Sequence, residues 1–239
     1  MRVEIWSDFI SPLCYIAKRK FDLALEQFAQ RQFVNVEYKS FLLHKGETVR
    51  ANTCRELLME TCKIPQNRLD EWIRDVNKEA EQLHLPINLN SFALVDTLDA
   101  HRLMKFAERV GKDTDLIDLL FEHFFKLEDK SKNNINDQYV LIRIAEKCGL
   151  KNDEVKNLLS LKKYGRAVEV DVSDADEIGI ENVPFFIFNE KNALVGNHSV
   201  DVFLEALEVS LKEDEERLLK KQKEEPKVTN YCVGDDCDM

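Results

Sequence analysis

The stretch Ile5-Trp6-Ser7-Asp8-Phe9-Ile10-Ser11-Pro12-Leu13-Cys14-Tyr15 constrains the fold more than any other, because it reads as a buried strand ending abruptly at a helix start. Ser11 is a strong N-cap residue, and Pro12 suits the first helical position, where its missing N–H costs nothing. Leu13, Ala17, Phe21, Ala24 and Phe28 then recur at helical spacing through about Gln30. Cys14 falls in the first turn, close to unpaired backbone N–H groups and the positive end of the helix dipole. That position predicts a thiolate favoured over a thiol. Val34, Val36 and Tyr38 alternate with Asn35, Glu37 and Lys39, which predicts a second strand, and a helix joining two neighbouring strands implies a parallel right-handed crossover.

From about Leu43 to Lys163 no strand pattern occurs. Helices are expected at about Asn52–Cys62, Asn67–Leu83, Phe92–Val110, Thr114–Lys126, Asp137–Cys148 and Asp153–Ser160, with Pro65, Pro86, Gly111 and Gly149 at the breaks. Strand character resumes at Val183–Phe188 and Ala193–Val195, a hairpin around Asn189-Glu190-Lys191-Asn192, followed by a helix from about Val200 with Phe203, Leu207 and Leu211 on one face. Lys212 to Glu225 mixes both charge signs densely, the pattern of a solvated helix extension. Pro226 ends it, and a mobile tail bearing Cys232 and Cys237 is expected to follow.

The segment EIWSDFISPLCYIAKRK (Glu4 to Lys20), Phe41-Leu42, Asn90, Ala100-His101-Arg102-Leu103, Leu120-Phe121 to Phe125, and Asn182-Val183-Pro184-Phe185-Phe186 agree in order and spacing with one family. Over residues 1–212 the chain resembles DsbA-family oxidoreductases of the FrnE type. The resemblance implies an α/β thioredoxin fold (DsbA-like) interrupted by a large all-helical insertion. The expected divisions are a thioredoxin-fold start at 1–42, the insertion at 43–163, a thioredoxin-fold end at 164–212, and the charged helix extension with its tail at 213–239. It also implies that Pro184 is cis and faces the helix start, so that Pro12, Val183 and Pro184 bind an extended substrate. Family members usually carry Cys-Pro-X-Cys. Here Ser11 replaces the attacking cysteine and only Cys14, the normally resolving one, remains. FrnE-like proteins can carry a further Cys-X4-Cys, which Cys232 and Cys237 match. A sister branch, the kappa-class glutathione transferases and 2-hydroxychromene-2-carboxylate isomerases, has a Ser-Pro motif here, and its serine is thought to hydrogen-bond the thiolate of bound glutathione.

Ser11 cannot replace a thiol nucleophile, so a mixed disulfide at Cys14 needs another thiol to leave it. The tail pair is the candidate; the residues beyond Pro226, behaving as a coil, reach roughly 20 Å, so access depends on where the last helix ends. Six cysteines in 239 residues are too sparse for a disulfide scaffold. Cys54, Cys62 and Cys148 read as core or partly exposed single thiols, and His101 as a satisfied structural histidine. Two tail thiolates alone do not make a tetrahedral zinc site, and the remaining histidines are scattered, so no metal is expected. A net charge of −11 disfavours nucleic acid and anionic membrane surfaces. Met1 leads straight into a strand pattern and no apolar run approaches membrane-spanning length, which predicts a cytosolic chain. The expected function is a thiol–disulfide oxidoreductase acting on protein or small-thiol substrates through Ser11, Cys14, Cys232 and Cys237, with no nucleotide. The alternatives are a glutathione-dependent transferase or isomerase using Ser11, and a non-catalytic protein that keeps the thioredoxin groove for peptide capture.

Overall fold

The computed structural model describes residues 1–44, 53–87, 89, 94–126 and 134–224, with side chains through residue 218. Strand β1 (Arg2–Ser7) pairs in parallel with β2 (Asn35–Ser40), Val3 opposite Val36 and Ile5 opposite Tyr38. Helix α1 (Pro12–Gln27) makes the crossover between them. On its other edge β1 pairs antiparallel with β3 (Phe185–Phe188), which hairpins into β4 (Asn192–Val195), giving the sheet order β2-β1-β3-β4. Between β2 and β3 come α2 (Cys54–Cys62), α3 (Leu69–Gln82), α4 (Leu98–Arg109), α5 (Asp113–Lys126), α6 (Gln138–Lys147), α7 (Asn152–Ser160) and α8 (Gly165–Ile178), and α9 (Val200–Glu224) follows β4. This is a thioredoxin fold interrupted by helices.

Because side chains alternate along a strand, β1 has to be covered on both faces. Val3 and Ile5 point with Phe186 and Phe188 toward α1 and α9, where Phe21, Phe186 and Phe203 form an aromatic knot with ring centroids 4.7–5.8 Å apart. Trp6 points the other way into a smaller cluster with Phe41, Ala175 and Ile180, and its indole N–H donates to the Asp171 carbonyl at 3.4 Å. The inserted helices are joined to the sheet through one continuous core, in which Phe9 and Tyr15 meet Phe121 at 5.3 and 5.0 Å.

Three elements differ from the sequence reading. Helix α1 stops at Gln27 rather than Gln30, because Phe28 adopts an extended backbone (φ −73°, ψ 117°) and turns into the core. Helix α4 starts at Leu98, whereas Phe92 lies outside the described residues. Helix α8 occupies a stretch to which the sequence reading assigns no element. There Val168, Val170 and Val172 alternate with Glu169, Asp171 and Ser173 in a strand-like pattern, yet the buried stripe is Val168, Asp171 and Ala175, at helical spacing. Asp171 disguised that stripe: its carboxylate accepts the Ser40 N–H at 2.8 Å and pairs with Lys105 at 2.6 Å and Lys39 at 3.4 Å. Gly179, in the left-handed region at φ +83°, closes α8, as a helix C-terminus commonly requires.

Helix α9 begins beside the end of β4 and runs along the sheet to its opposite end. Ser210 accepts from Asn189 at 3.0 Å, Glu213 accepts from Asn192 at 3.2 Å, and Asp214 lies 3.7 Å from the Met1 amino group. Past Asp214 its residues through Leu218 are exposed, and the helix continues to Glu224. Among the described residues no helix is long and apolar enough to cross a membrane.

Candidate active site

The carboxyl end of β1 delivers the chain into a tight turn. The Ser11 N–H donates to the Asp8 carbonyl at 3.1 Å, which fixes Ser11 in an extended conformation (φ −86°, ψ 114°) ahead of Pro12. The Ser11 Oγ accepts the Cys14 N–H at 3.2 Å, the capping contact that its position predicts. Asp8, Ser11 and Cys14 are all buried, Cys14 to 1% exposure, and Leu13 is half-buried above them. The Asp8 carboxylate holds the segment after β2, accepting the Leu43 N–H at 2.8 Å, and faces His101 of α4.

The Val183–Pro184 peptide is cis, and Pro184 is buried. Since Phe185 pairs with Trp6, Pro184 falls opposite Ser7, at the same end of the sheet as Ser11 and Cys14. Its carbonyl accepts the Gly196 N–H at 2.8 Å. The Lys63 ammonium, just past the end of α2, donates to the Glu181 carbonyl at 3.1 Å and ties that helix to the segment preceding the cis peptide. Ser11, Pro12, Cys14, Val183 and Pro184 thus gather at one end of the sheet. Cys232 and Cys237 lie outside the described residues.

The electrostatics correct the expectation of a resting thiolate at Cys14. Burial pushes the Cys14 thiol up to about 12, outweighing the hydrogen bonds from Ser11 and the Asp8 backbone that favour the thiolate. The Asp8 carboxylate and the Cys62 thiol push it the same way as burial. Cys62, at the end of α2, is itself driven up to about 12 by burial. The sequence singled out neither Asp8 nor Cys62 as part of this site. Asp8 stands between strand and cap, the one place from which a carboxylate can reach behind the helix start, and that was the available signal. Cys62 comes close only through tertiary folding. The segment after β2 also forms a wall of a cavity of about 720 Å3, with Leu42, His44, Leu98, Val168, Val172 and Asp176 around it; its lining includes neither Ser11 nor Cys14.

A sequence profile of the DSBA-like thioredoxin domain matches residues 2–208. The chain belongs to the DsbA-like thioredoxin-domain family. Among solved structures, this DsbA-like chain is similar to one described as a "probable DsbA oxidoreductase" from Streptomyces coelicolor, at 28% identity and a TM-score of 0.76, covering 89% of this chain and 91% of that one. It shares its fold with the cytosolic disulfide reductase DsbM from Pseudomonas aeruginosa, solved with GSH, at 14% identity and a TM-score of 0.59 over 89% and 100% of the two chains. The same holds for a 2-hydroxychromene-2-carboxylate isomerase, at 17% identity and a TM-score of 0.59 over 93% and 98%. No curated protein sequence matches the DsbA-like chain.

Proposed function

We propose that this protein is a thiol–disulfide oxidoreductase of a reducing, cytosolic compartment, acting on protein or low-molecular-weight disulfides through Cys14. The observation that carries this reading is the place of Cys14 in the first turn of α1, at the end of the sheet where the cis Val183–Pro184 peptide enters β3. Val183 offers its backbone to an extended substrate, and Pro12 and Pro184 flank it.

The chemistry runs in balanced steps. At rest Cys14 is a thiol, so reaction starts when the α1 start opens, the proton leaves to solvent, and the thiolate attacks a substrate disulfide. A mixed disulfide forms and one substrate thiolate departs. A thiolate of the tail, Cys232 or Cys237, then attacks the Cys14 sulfur and releases the second substrate thiolate. Its neighbour completes the Cys232–Cys237 disulfide and frees Cys14. Two electrons have passed to the substrate, and a low-molecular-weight thiol such as glutathione returns the tail to its dithiol form. Ser11 takes no covalent part; it caps α1 and favours the thiolate of Cys14.

A second reading is favoured by one observation: the Ser11 hydroxyl stands at a helix start and favours the thiolate form of the sulfur beside it, that of Cys14. A glutathione thiolate in that place would make the protein a transferase or isomerase. Insulin-disulfide reduction and glutathione conjugation, measured on wild type, Ser11→Cys and Ser11→Ala, separate the two. The oxidoreductase reading expects Ser11→Cys to accelerate insulin reduction at least about tenfold, because the vicinal thiol resolves the mixed disulfide in place. Glutathione conjugation by wild type that disappears in Ser11→Ala would replace it with the second reading.

A further inference from the structure

Behind the start of α1, two buried side chains face each other across an unmade hydrogen bond. Asp8 is 1% exposed and His101 3%. The Asp8 Oδ1 and the His101 Nε2 stand 3.7 Å apart, and neither atom has a hydrogen-bond partner among the described residues. The remaining polar groups of Asp8 are engaged: Oδ2 accepts from Leu43 at 2.8 Å and the backbone carbonyl accepts from Ser11 at 3.1 Å. Phe9 packs against the imidazole with ring centroids 4.6 Å apart. Unpaired buried polar atoms are strongly penalised. Here two of them lie within a few tenths of an ångström of bonding distance, and one shared proton satisfies both.

We propose that Asp8 and His101 form a proton-holding pair that sets the charge beside Cys14, which makes His101 a positioning residue acting through Asp8. The proposal rests on the reading of Cys14 as the reacting thiol. Among the described residues, few titratable or charged groups surround the pair. Cys14 approaches from α1, with Cys62 of α2 beyond it. On α4 itself, Arg102 is held by Asp99 and the carbonyls of Leu158 and Lys163, and Lys105 by Asp171 of α8. His44, which follows Leu43, is bonded to Thr61.

When Cys14 ionises, its proton passes to solvent and a negative charge appears beside Asp8. While the pair keeps its proton, one net negative charge is buried; once the pair has lost it, two lie together. Loss of a proton from the pair and loss from Cys14 therefore oppose each other.

The test is the rate of Cys14 alkylation by a small chloroacetamide as a function of pH, read on the Cys14 peptide by mass spectrometry. Asp8→Asn is expected to accelerate labelling at mildly alkaline pH about tenfold, one pH unit in the thiol's favour. His101→Gln, which keeps a donor for Asp8 but no exchangeable charge, is expected to slow it by a similar factor, and the double variant to behave as Asp8→Asn. Single variants that shift the rate in the same direction, or a His101 effect that persists without Asp8, overturn the proposal. Where a variant does not fold, wild type decides. Across the pH interval in which NMR shows the His101 ring titrating, the logarithm of the labelling rate must rise with a slope below one. A slope of one throughout, or a ring with no titration step, overturns it. Labelling needs no disulfide turnover. Opposite shifts in a protein inactive on disulfides would therefore defeat the oxidoreductase reading and leave the pair standing.

Discussion

Ser11 carries two loads at the residue scale, capping α1 through its oxygen and favouring the Cys14 thiolate. Ser11→Ala is expected to lower unfolding stability by about 1 kcal/mol through the lost cap. It should also push the Cys14 thiol further up, and slower alkylation at fixed pH would register that. In wild type, burial dominates the Cys14 thiol, which sits at about 12. Labelling of Cys14 should therefore keep climbing with pH, with no plateau near neutrality; a plateau there would reveal the thiolate that the helix start alone predicts. Ser11 and Pro12 announced where α1 starts, because capping is local chemistry. The state of Cys14 was illegible, since burial is set by how distant segments pack around the helix start, and the α5 phenylalanines that meet Phe9 and Tyr15 belong to the insertion. His101 illustrates the same limit: its helix was readable, its orphaned nitrogen was not.

Among the elements, α1, β2, α5 and the β3–β4 hairpin follow periodicities that the sequence displays openly. Helix α8 does not, because its inward stripe contains Asp171 in place of an apolar residue. That carboxylate ties three elements together, through the Ser40 N–H of β2, Lys39 of the same strand and Lys105 of α4. Removing one partner of such a buried network strands the others. Asp171→Ala is expected to cost about 3–5 kcal/mol, measured by urea denaturation. A loss below about 1 kcal/mol would mean that Lys105 and the Ser40 N–H find water instead. The network also fixes α8 upstream of the cis peptide, so the same variant should weaken whatever binding Val183 and Pro184 provide.

For the molecule as a whole, one continuous core runs from the sheet into the inserted helices, and the family match spans both. The order of elements was readable because strand and helix periods alternate cleanly around the insertion; how the insertion packs on the sheet was not. Nothing after Asp214 through Leu218 is buried, so truncation after Lys227 is expected to leave the melting temperature unchanged; a large fall would show a packed tail. The course of α9 has a consequence for the kinetics. The helix leaves the Cys14 end of the sheet, passes Met1 at Asp214 and continues to Glu224, so its last turn stands roughly 35 Å from Cys14 at about 1.5 Å per residue. Fully drawn out, the chain from Glu224 spans at most about 29 Å to Cys232 but about 47 Å to Cys237. With α9 intact, Cys232 therefore falls short of the Cys14 of its own molecule, whereas Cys237 can meet it. Release of the mixed disulfide at Cys14, followed by mass spectrometry, should then be independent of protein concentration and slowed by Cys237→Ser, while Cys232→Ser leaves that first step unchanged. Equal slowing by the two variants would mean that the end of α9 unwinds to let Cys232 return.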